Sequence, residues 1–262
     1  MFDIHNHLIY EFDDGPKSLQ EAVDMLKEAE AQGITHAFAT SHFQEIIPIT
    51  MEDDYFRKLE ELRNRLEAEN VQVQIHSGSE LFYHHFMNET VKQHRVCRLN
   101  GTSKYVLFEF PLYLKPTGYE EAIFQLKMDG YFPILAHPER YTFIQQDPEK
   151  IVDILKLGAL LQVNTGSILG NFGRTAQRLA RQFLELRLVS FLGSDAHRKE
   201  GRSFSLKPAI DEIRHIVDNG YIEELTHLNP AKILNNTEVE SPPIPEFKNG
   251  GLFSRLRKIF TF

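Results

Sequence analysis

The sequence carries histidines and carboxylates at the ends of short apolar runs, where a barrel enzyme can bring them together. His5 and His7 open the chain as His-x-His, and Asp195 and His197 repeat the device as Asp-x-His near its end. Side chains two positions apart on a strand lie on the same face, so each pair can hold one ion. Five further candidate ligands lie between the pairs: Asp14, His42, Glu80, Glu109 and His137.

The types and number of these candidates indicate the chemistry. Imidazole and carboxylate ligands suit Mn, Fe or Zn better than calcium or thiolate-preferring metals. Nine candidates exceed the four ligands of a tetrahedral ion, so we expect two or three divalent metals. Adjacent metals can bind phosphate oxygens and activate water, so no Cys or Ser nucleophile is required. The residues therefore predict a metal-dependent hydrolase, and a phosphatase fits best.

Two arginines follow the predicted ligands closely. Arg140 lies three residues after His137, and Arg202 lies five residues after His197. The planar guanidinium group recognises phosphate through two parallel hydrogen bonds. We expect both arginines to face the metal site and to stabilise phosphate charge.

The elements that must position these residues alternate between strands and helices. Seven strands are predicted at residues 2–5, 34–40, 71–75, 105–108, 132–136, 160–163 and 188–192. Helical patterns separate them, and a last helix is predicted near residues 209–219. This alternation is typical of a parallel sheet closed by crossover helices, whose active site lies at the carboxyl ends of the strands.

Composition narrows the class of protein. The 262 residues suffice for one α/β barrel, and a net charge of −8 argues against a nucleic-acid partner. There is no basic, apolar N-terminal signal and no apolar run long enough to span a bilayer. The single cysteine, Cys97, is predicted to be an inert buried thiol, and a reducing, cytoplasmic location is the simplest interpretation.

The C-terminal residues differ in character from the rest. Residues 1–240 are predicted to form the barrel domain, and residues 241–262 a Pro/Gly linker followed by a short basic amphipathic tail. One interpretation is a helix that contacts a membrane surface at the inner face, or a partner. The alternative is a tail that packs on its own barrel or on a neighbouring subunit of a homo-oligomer.

The motifs resemble the polymerase-and-histidinol-phosphatase (PHP) superfamily. The strings that carry the resemblance are His5-x-His7, Asp14 in Asp-Asp-Gly-Pro, Ser-His42, Gly-Ser-Glu80, Phe-Glu109-Phe, Ala-His137-Pro-Glu-Arg140-Tyr and Gly-Ser-Asp195-Ala-His197. The Asp-Asp-Gly-Pro and His-Pro-Glu-Arg-Tyr strings are more narrowly similar to bacterial manganese-dependent protein-tyrosine phosphatases encoded with capsule and exopolysaccharide genes. The resemblance covers residues 1–237 and implies a distorted (β/α)7 TIM-like barrel with up to three metals.

The resemblance also implies roles for the candidates. One metal would be held by His5, His7, Glu80 and Asp195. Glu80 would bridge to a second, completed by Glu109 and His137, and a third would be held by Asp14, His42 and His197. Arg140 and Arg202 match phosphate-binding arginines of the family. The implied substrate is phosphotyrosine in the tail of a bacterial tyrosine kinase that controls polysaccharide export.

Other functions share the same ligands. A small-molecule phosphoesterase, such as a histidinol phosphatase, would use every one of them. A non-catalytic PHP module that binds a partner belongs to another class, but all nine candidates are present here. A nuclease is disfavoured by the acidic charge and by the lack of a basic stripe.

Overall fold

Seven parallel strands form one sheet in which each strand pairs with the next along the chain. The computed structural model describes residues 1–244. The strands are β1 (Phe2–Asn6), β2 (His36–Phe43), β3 (Gln74–Phe82), β4 (Tyr105–Glu109), β5 (Phe132–Ala136), β6 (Leu160–Asn164) and β7 (Phe191–Gly193). Neighbouring strands in sequence are neighbours in space, as the predicted (β/α)7 barrel requires.

Helices cover the outside of this sheet. They are α1 (Leu19–Ala31), α2 (Ile49–Ala68), α3 (Met87–Gln93), α4 (Tyr119–Met128), α5 (Thr142–Gln146), α6 (Lys150–Lys156), α7 (Thr165–Ile168), α8 (Arg174–Glu185), α9 (Leu206–Ile213), α10 (Asn219–Glu223) and α11 (Asn229–Asn235). Helix α1 is capped by Ser18, whose hydroxyl accepts from Glu21 N, while the Glu21 carboxylate accepts from Lys17 N, one residue before the cap. No helix within residues 1–244 is long and apolar enough to cross a membrane.

The barrel is closed by the segment that follows β7. Asp195 N donates to His5 O at 2.7 Å, and His7 N donates to Ala196 O at 2.8 Å. The Asp3 carboxylate accepts from Ser194 N at 3.1 Å. These bonds join the two ends of the sheet and bring the His-x-His and Asp-x-His pairs side by side.

The core has two layers, as a closed sheet demands. Ile4, Phe38, Tyr105, Leu107 and Ile134 form part of a cluster separate from the larger one between sheet and helices. Every residue of β4 is buried, which is typical of a parallel strand covered on both faces. The apolar runs noted in the sequence therefore build a rigid frame, and the polar residues at their ends are left for the site.

Strand β3 differs from the prediction. It starts at Gln74 and continues to Phe82. The sequence interpretation placed the strand at residues 71–75, with Gly78 and Glu80 after its end. Gly78 serves close packing here, because a methyl group on it would lie 2.7 Å from a Leu99 methyl carbon. Glu80 thus projects from a regular strand, a more rigid support than a turn.

The C-terminal third also differs in detail. The predicted helix at residues 209–219 is shorter and lies earlier, as α9, because Asp218 caps the next helix by accepting from Tyr221 N at 3.0 Å. The helical run through α10, a π-helical turn and α11 was not predicted. Of the predicted linker and tail at 241–262, residues 245–262 lie outside the described residues.

Candidate metal centre

All nine predicted ligands lie at one end of the barrel. They come from the carboxyl ends of β1 to β5, from the loop after β1 and from the segment after β7. Seven of the nine form three overlapping groups of metal-ligand type. The other two lie beside these groups, His137 at 2.8 Å from Glu80 and Asp195 at 3.6 Å from His7. The topology explains this, because parallel strands of a closed barrel deliver their ends to the same edge.

The first group joins the two ends of the chain. His5 Nε2 lies 3.2 Å from Glu80 Oε2 and 3.7 Å from Asp195 Oδ1. His7 Nε2 lies 3.4 Å and 3.6 Å from the same two oxygens. Two imidazoles and two carboxylates therefore point at one small volume, and all four are buried.

The second group lies toward β4 and β5. Glu80 Oε1 is 2.8 Å from His137 Nε2, while Glu80 Oε2 is 3.2 Å from His42 Nδ1. Glu109 faces the same two histidines, at 3.1 Å from His42 and 3.8 Å from His137. Glu80 thus lies between the first and second groups, with each group facing its carboxylate.

The third group is the most open. Asp14 Oδ1 lies 3.1 Å from His197 Nε2 and 3.6 Å from His42 Nε2. The Asp14 carboxylate is 57% exposed, whereas the carboxylates of the first group are buried. The His7 ring is also part of this group, 3.8 Å from the His197 ring centroid to centroid. Solvent and substrate can therefore reach the cluster from this side.

The donor set fits divalent metals. Within the described residues, His5 Nε2, His7 Nε2, Glu80 Oε2 and His197 Nε2 are buried and form no hydrogen bond. A buried polar atom without a partner costs roughly 1–3 kcal/mol, so four in one cluster need a ligand of their own. These are the atoms that point into the groups described above, and nitrogen with carboxylate oxygen suits Mn, Fe or Zn.

Asp13, which the sequence interpretation passed over, joins two of the candidate ligands, His7 after β1 and His42 on β2. Its carboxylate is 2.8 Å from His7 Nδ1 and accepts from His42 N at 3.0 Å and Gly15 N at 2.9 Å. A proton on His7 Nδ1 leaves Nε2 free for a metal. The adjacent Asp14 could have drawn attention to it, because both belong to the Asp-Asp-Gly-Pro loop.

Strand β6 supplies no predicted ligand but supports two of them. Asn164 Nδ2 donates to Asp195 Oδ2 at 2.7 Å, and Gln162 Nε2 donates to Asn164 Oδ1 at 2.9 Å. Gln162 Oε1 lies 2.8 Å from His5 Nδ1. The signal in the sequence was two amides at alternate positions of an apolar strand, which place both on one face.

This hydrogen-bond chain has only one consistent direction. The Asp195 carboxylate can only accept, so Asn164 must present its NH₂ group to it and its carbonyl to Gln162. Gln162 then presents its own carbonyl to His5, whose Nδ1 must carry the proton. His5 Nε2 is left as a lone pair toward the first group. A carboxylate in the segment after β7 thereby fixes the tautomer of a histidine on β1.

Both predicted arginines lie at the site. Arg140 Nη1 donates to Asp195 Oδ2 at 2.9 Å, and Arg202 Nη2 lies 2.6 Å from the same oxygen. Phe172 lies beneath both guanidinium groups, with centroid distances of 4.2 Å and 5.8 Å. This aromatic ring was not predicted, and it limits the positions that the arginines can adopt. Their remaining donors are available to an anion beside the metal groups.

The electrostatics of the cluster favour protons where cations would bind. Burial opposes a charge on His7, but Asp13 and Glu80 outweigh it and raise the pKa of His7 to about 9. Burial also opposes a charge on His42, and the two glutamates that face it raise its pKa to about 9. By contrast, burial lowers the pKa of His197. A metal would neutralise the excess negative charge of the carboxylates around His7 and His42.

Residues outside the cluster behave as structural groups. Cys97 is buried, and burial raises the pKa of its thiol to about 12, so it is no nucleophile. His76 is also a structural group. It lies on β3, where its Nε2 is 2.9 Å from His36 Nδ1. Burial lowers the pKa of His76 to about 4, so this pair is neutral.

The fold and the cluster together define a class of protein, the (β/α)7 barrels with a cluster of candidate metal ligands at the carboxyl ends of their strands. Within that class, the model of the capsular polysaccharide synthesis family CpsB/CapC matches residues 1–235, and the chain belongs to this family. The chain is 33% identical to CapC of Staphylococcus aureus, over 94% of this chain and 95% of that protein. It is 31% identical to the tyrosine-protein phosphatase CpsB of Streptococcus agalactiae, over 90% of this chain and 99% of the relative.

Solved structures agree with this placement. The metal-dependent tyrosine phosphatases YwqE of Bacillus subtilis and CpsB of Streptococcus pneumoniae were solved together, and the matching structure has a TM-score of 0.83. The two chains are 27% identical, and the match covers 95% of this chain and 100% of the solved one. A histidinol phosphate phosphatase from Lactococcus lactis has a TM-score of 0.53 at 15% identity, which shows a shared fold. The predicted fold class and family are thus confirmed.

Proposed function

We propose that this protein is a metal-dependent protein-tyrosine phosphatase that acts in capsular or extracellular polysaccharide synthesis. The observation that carries the proposal is the position of Glu80. Its two oxygens face four imidazoles at 2.8–3.4 Å, so one carboxylate serves two ligand groups beside two arginines. Relatives across nearly the whole chain are named as tyrosine-protein phosphatases.

The nine predicted residues are the proposed ligands of two or three divalent metals. The first group would comprise His5, His7, Glu80 and Asp195, and Glu80 would bridge to Glu109 and His137. The third would comprise Asp14, His42 and His197. Manganese is the proposed metal, with iron and zinc as the alternatives that the same donors accept. A divalent metal held here supplies Lewis acidity to phosphoryl oxygens and acidifies water.

The chain's own residues would bind and orient the phosphate. Arg140 and Arg202 converge on one oxygen of Asp195, so their outer donors are directed to the same small region. Two guanidinium groups there can hold a phosphate through bidentate hydrogen bonds and stabilise the charge that develops as the phosphorus–oxygen bond breaks. Phe172 restricts their motion, which favours a fixed phosphate position.

The substrate we propose is phosphotyrosine in the tail of a bacterial tyrosine kinase. The open third group supports a protein substrate, since Asp14 and His42 are partly exposed and a flexible tail can reach them. A small-molecule phosphoesterase is the alternative, and it would use the same ligands. The test therefore compares the two substrates directly.

The test compares two substrates on one preparation. Protein stripped with EDTA is assayed on a phosphotyrosine peptide and on histidinol phosphate, before and after Mn²⁺ is added. We expect negligible turnover before addition, and restored turnover of the peptide afterwards. A preference for histidinol phosphate would contradict the proposed substrate while leaving the metal centre intact. No turnover of either substrate with Mn²⁺, Fe²⁺ or Zn²⁺ would contradict the proposed activity.

A further inference from the structure

Exposed apolar side chains gather on three neighbouring loops at the end of the barrel that holds the metal centre. We name this surface the apolar rim, and its residues are Ile46, Phe86, Tyr113 and Leu114 on the loops and Ile49 at the first residue of α2, directly after the first loop. Each is at least 65% exposed. Contiguous exposed apolar patches on soluble proteins mark interaction sites, whereas single exposed residues need no explanation.

The rim adjoins the metal centre through the topology of the sheet. Its loops follow β2, β3 and β4, the strands that carry His42, Glu80 and Glu109. Each loop begins one to three residues after the predicted ligand on its strand. Any chain that enters the cluster from the side of these strands must pass over the rim.

The three loops are held in fixed positions by buried contacts. The Tyr83 hydroxyl donates to Thr117 O at 2.6 Å, and Tyr83 N donates to Glu109 O at 2.8 Å. The Thr90 hydroxyl donates to Glu45 O at 3.5 Å. The three loops are thus joined by hydrogen bonds of residues outside the rim.

We propose that the apolar rim binds the residues that flank the phosphotyrosine in a peptide substrate, and that it selects apolar or aromatic flanks. The proposal rests on the proposed function. Arg140 follows β5 and Arg202 lies after β7, whereas the rim follows β2, β3 and β4, so the two arginines lie to one side of the rim around the mouth of the barrel. A phosphate held by them therefore leaves the peptide to extend across the rim, where three flanking residues would reach roughly 10 Å.

The charge of the loops favours a peptide over a lipid surface. The acidic and basic residues of 44–48, 83–86 and 110–118 are Glu45, His84, His85 and Lys115. Attachment to anionic lipid needs a cluster of basic residues, and one lysine does not provide it. Aromatic and large apolar side chains such as Phe86 and Tyr113 are instead the usual anchors of protein recognition.

The test is a kinetic comparison of three substrates. They are free phosphotyrosine, a phosphotyrosine peptide flanked by Leu and Phe, and the same peptide flanked by Ser and Gly. The variant combines Ile46→Ser, Phe86→Ser and Leu114→Ser. Met128→Ser is the matched control. Met128 is the C-terminal residue of α4, is 67% exposed and lies away from the rim.

The readout is the ratio of kcat/KM for the Leu/Phe-flanked peptide to kcat/KM for free phosphotyrosine. We expect the triple variant to lower this ratio about tenfold, and the parent to prefer the Leu/Phe peptide over the Ser/Gly peptide. The control should keep the parental ratio. An unchanged ratio in the triple variant would overturn the proposal, and so would a parent that is indifferent to the flanks.

Two further measurements identify another occupant of the rim. The first is the oligomeric state: if the triple variant loses a concentration-dependent dimer but keeps the kinetic ratio, the rim binds a second copy of the chain. The second is binding to phosphatidylcholine vesicles: if the triple variant loses it but keeps the ratio, the rim binds a membrane. Either result would overturn the proposal. Failure of the proposed function looks different, because the parent would then hydrolyse none of the three substrates with Mn²⁺.

Discussion

At the residue scale, the two oxygens of Asp195 perform different tasks. Oδ1 faces the Nε2 atoms of His5 and His7. Oδ2 accepts a hydrogen bond from Asn164 and pairs with Arg140 and Arg202. Burial alone would raise the pKa of this carboxyl, but the surrounding positive groups, with His5 and Arg202 foremost, keep its pKa well below the usual range. Asp195 is therefore ionised at all physiological pH values and can both support the arginines and offer a ligand atom.

The amide chain from Asp195 to His5 leads to the first prediction. Asn164→Asp replaces the donor that faces Asp195 Oδ2 with an acceptor, so two carboxylates would oppose each other and the direction of the chain would be lost. We expect the affinity for Mn²⁺ to fall about 10–100-fold, as is usual when a group that orients a metal ligand is changed. Competition with a chelating dye measures it. The control is Asn219→Asp, which makes the same change of charge at an exposed position. Equal Mn²⁺ affinities in the two variants would contradict the role of the hydrogen bonds from Asp195 to His5.

The raised pKa values of His7 and His42 predict that metal binding releases protons. With pKa values of about 9, both imidazoles carry protons at pH 7, and a metal needs their neutral lone pairs. Mn²⁺ affinity should therefore rise with pH across pH 6.5–8 and fall in acid. Calorimetry in two buffers of different ionisation enthalpy counts the protons. His76→Gln should release the same number as the parent, because the pKa of His76 is about 4; binding without proton release would refute the prediction.

At the scale of elements, the short strand β7 sets how closely the ends of the barrel meet. A methyl group on Gly193 would lie 2.6 Å from His5 Cβ and 2.8 Å from Gln162 Nε2. The absence of a side chain there lets β7 lie against both neighbours. The sheet closes at the same place where the first ligand group forms, so closure and metal binding depend on one glycine.

Gly193→Ala is therefore expected to damage stability and metal binding together. Overpacking of a rigid core costs about 1–3 kcal/mol of the free energy of unfolding. Displacement of His5 or Gln162 should also weaken Mn²⁺ binding. Urea unfolding and a metal titration measure the two effects. Gly220→Ala, at an exposed position in α10, should leave metal binding unchanged; a Gly193→Ala protein with parental affinity would show that the close approach does not matter.

Particular elements show how far the sequence could be interpreted. The carboxyl ends of strands were found because apolar runs followed by His, Asp or Glu are a local signal, and all eleven predicted site residues lie together. Gln162, Asn164 and Phe172 were missed because their role depends on contacts across the barrel, which spacing along the chain does not reveal. The continuation of β3 beyond residue 75 was missed because the close packing of Gly78 against Leu99 is a contact across the fold, which the sequence does not reveal.

At the scale of the whole molecule, the ligands come from six of the seven strands or the segments that follow them. A metal bound by them would join parts of the chain that are up to 190 residues apart. Ligands that bind only the folded state stabilise it. The metal centre is thus expected to contribute to the stability of the barrel as well as to its chemistry.

Removal of metal should accordingly lower the melting temperature. At a free Mn²⁺ concentration 100 times Kd, one site contributes about 2.7 kcal/mol, which corresponds to a shift of roughly 5–10 °C for a chain of this size. Thermal scans with Mn²⁺ and with excess EDTA measure the difference. Glu80→Gln should show a much smaller shift than the exposed control Glu121→Gln. Identical melting curves for the parent protein with and without metal would contradict the coupling.

The most direct test counts metals and turnover in the same sample. Mn²⁺ is added stepwise to stripped protein, bound metal is measured by mass spectrometry, and hydrolysis of a phosphotyrosine peptide is measured at each step. We predict two or three Mn²⁺ per chain at saturation, turnover that rises as the sites fill, and the loss of both in Glu80→Gln. Turnover by fully stripped protein, or a Glu80→Gln variant that keeps the parental metal content and activity, would contradict the shared metal centre.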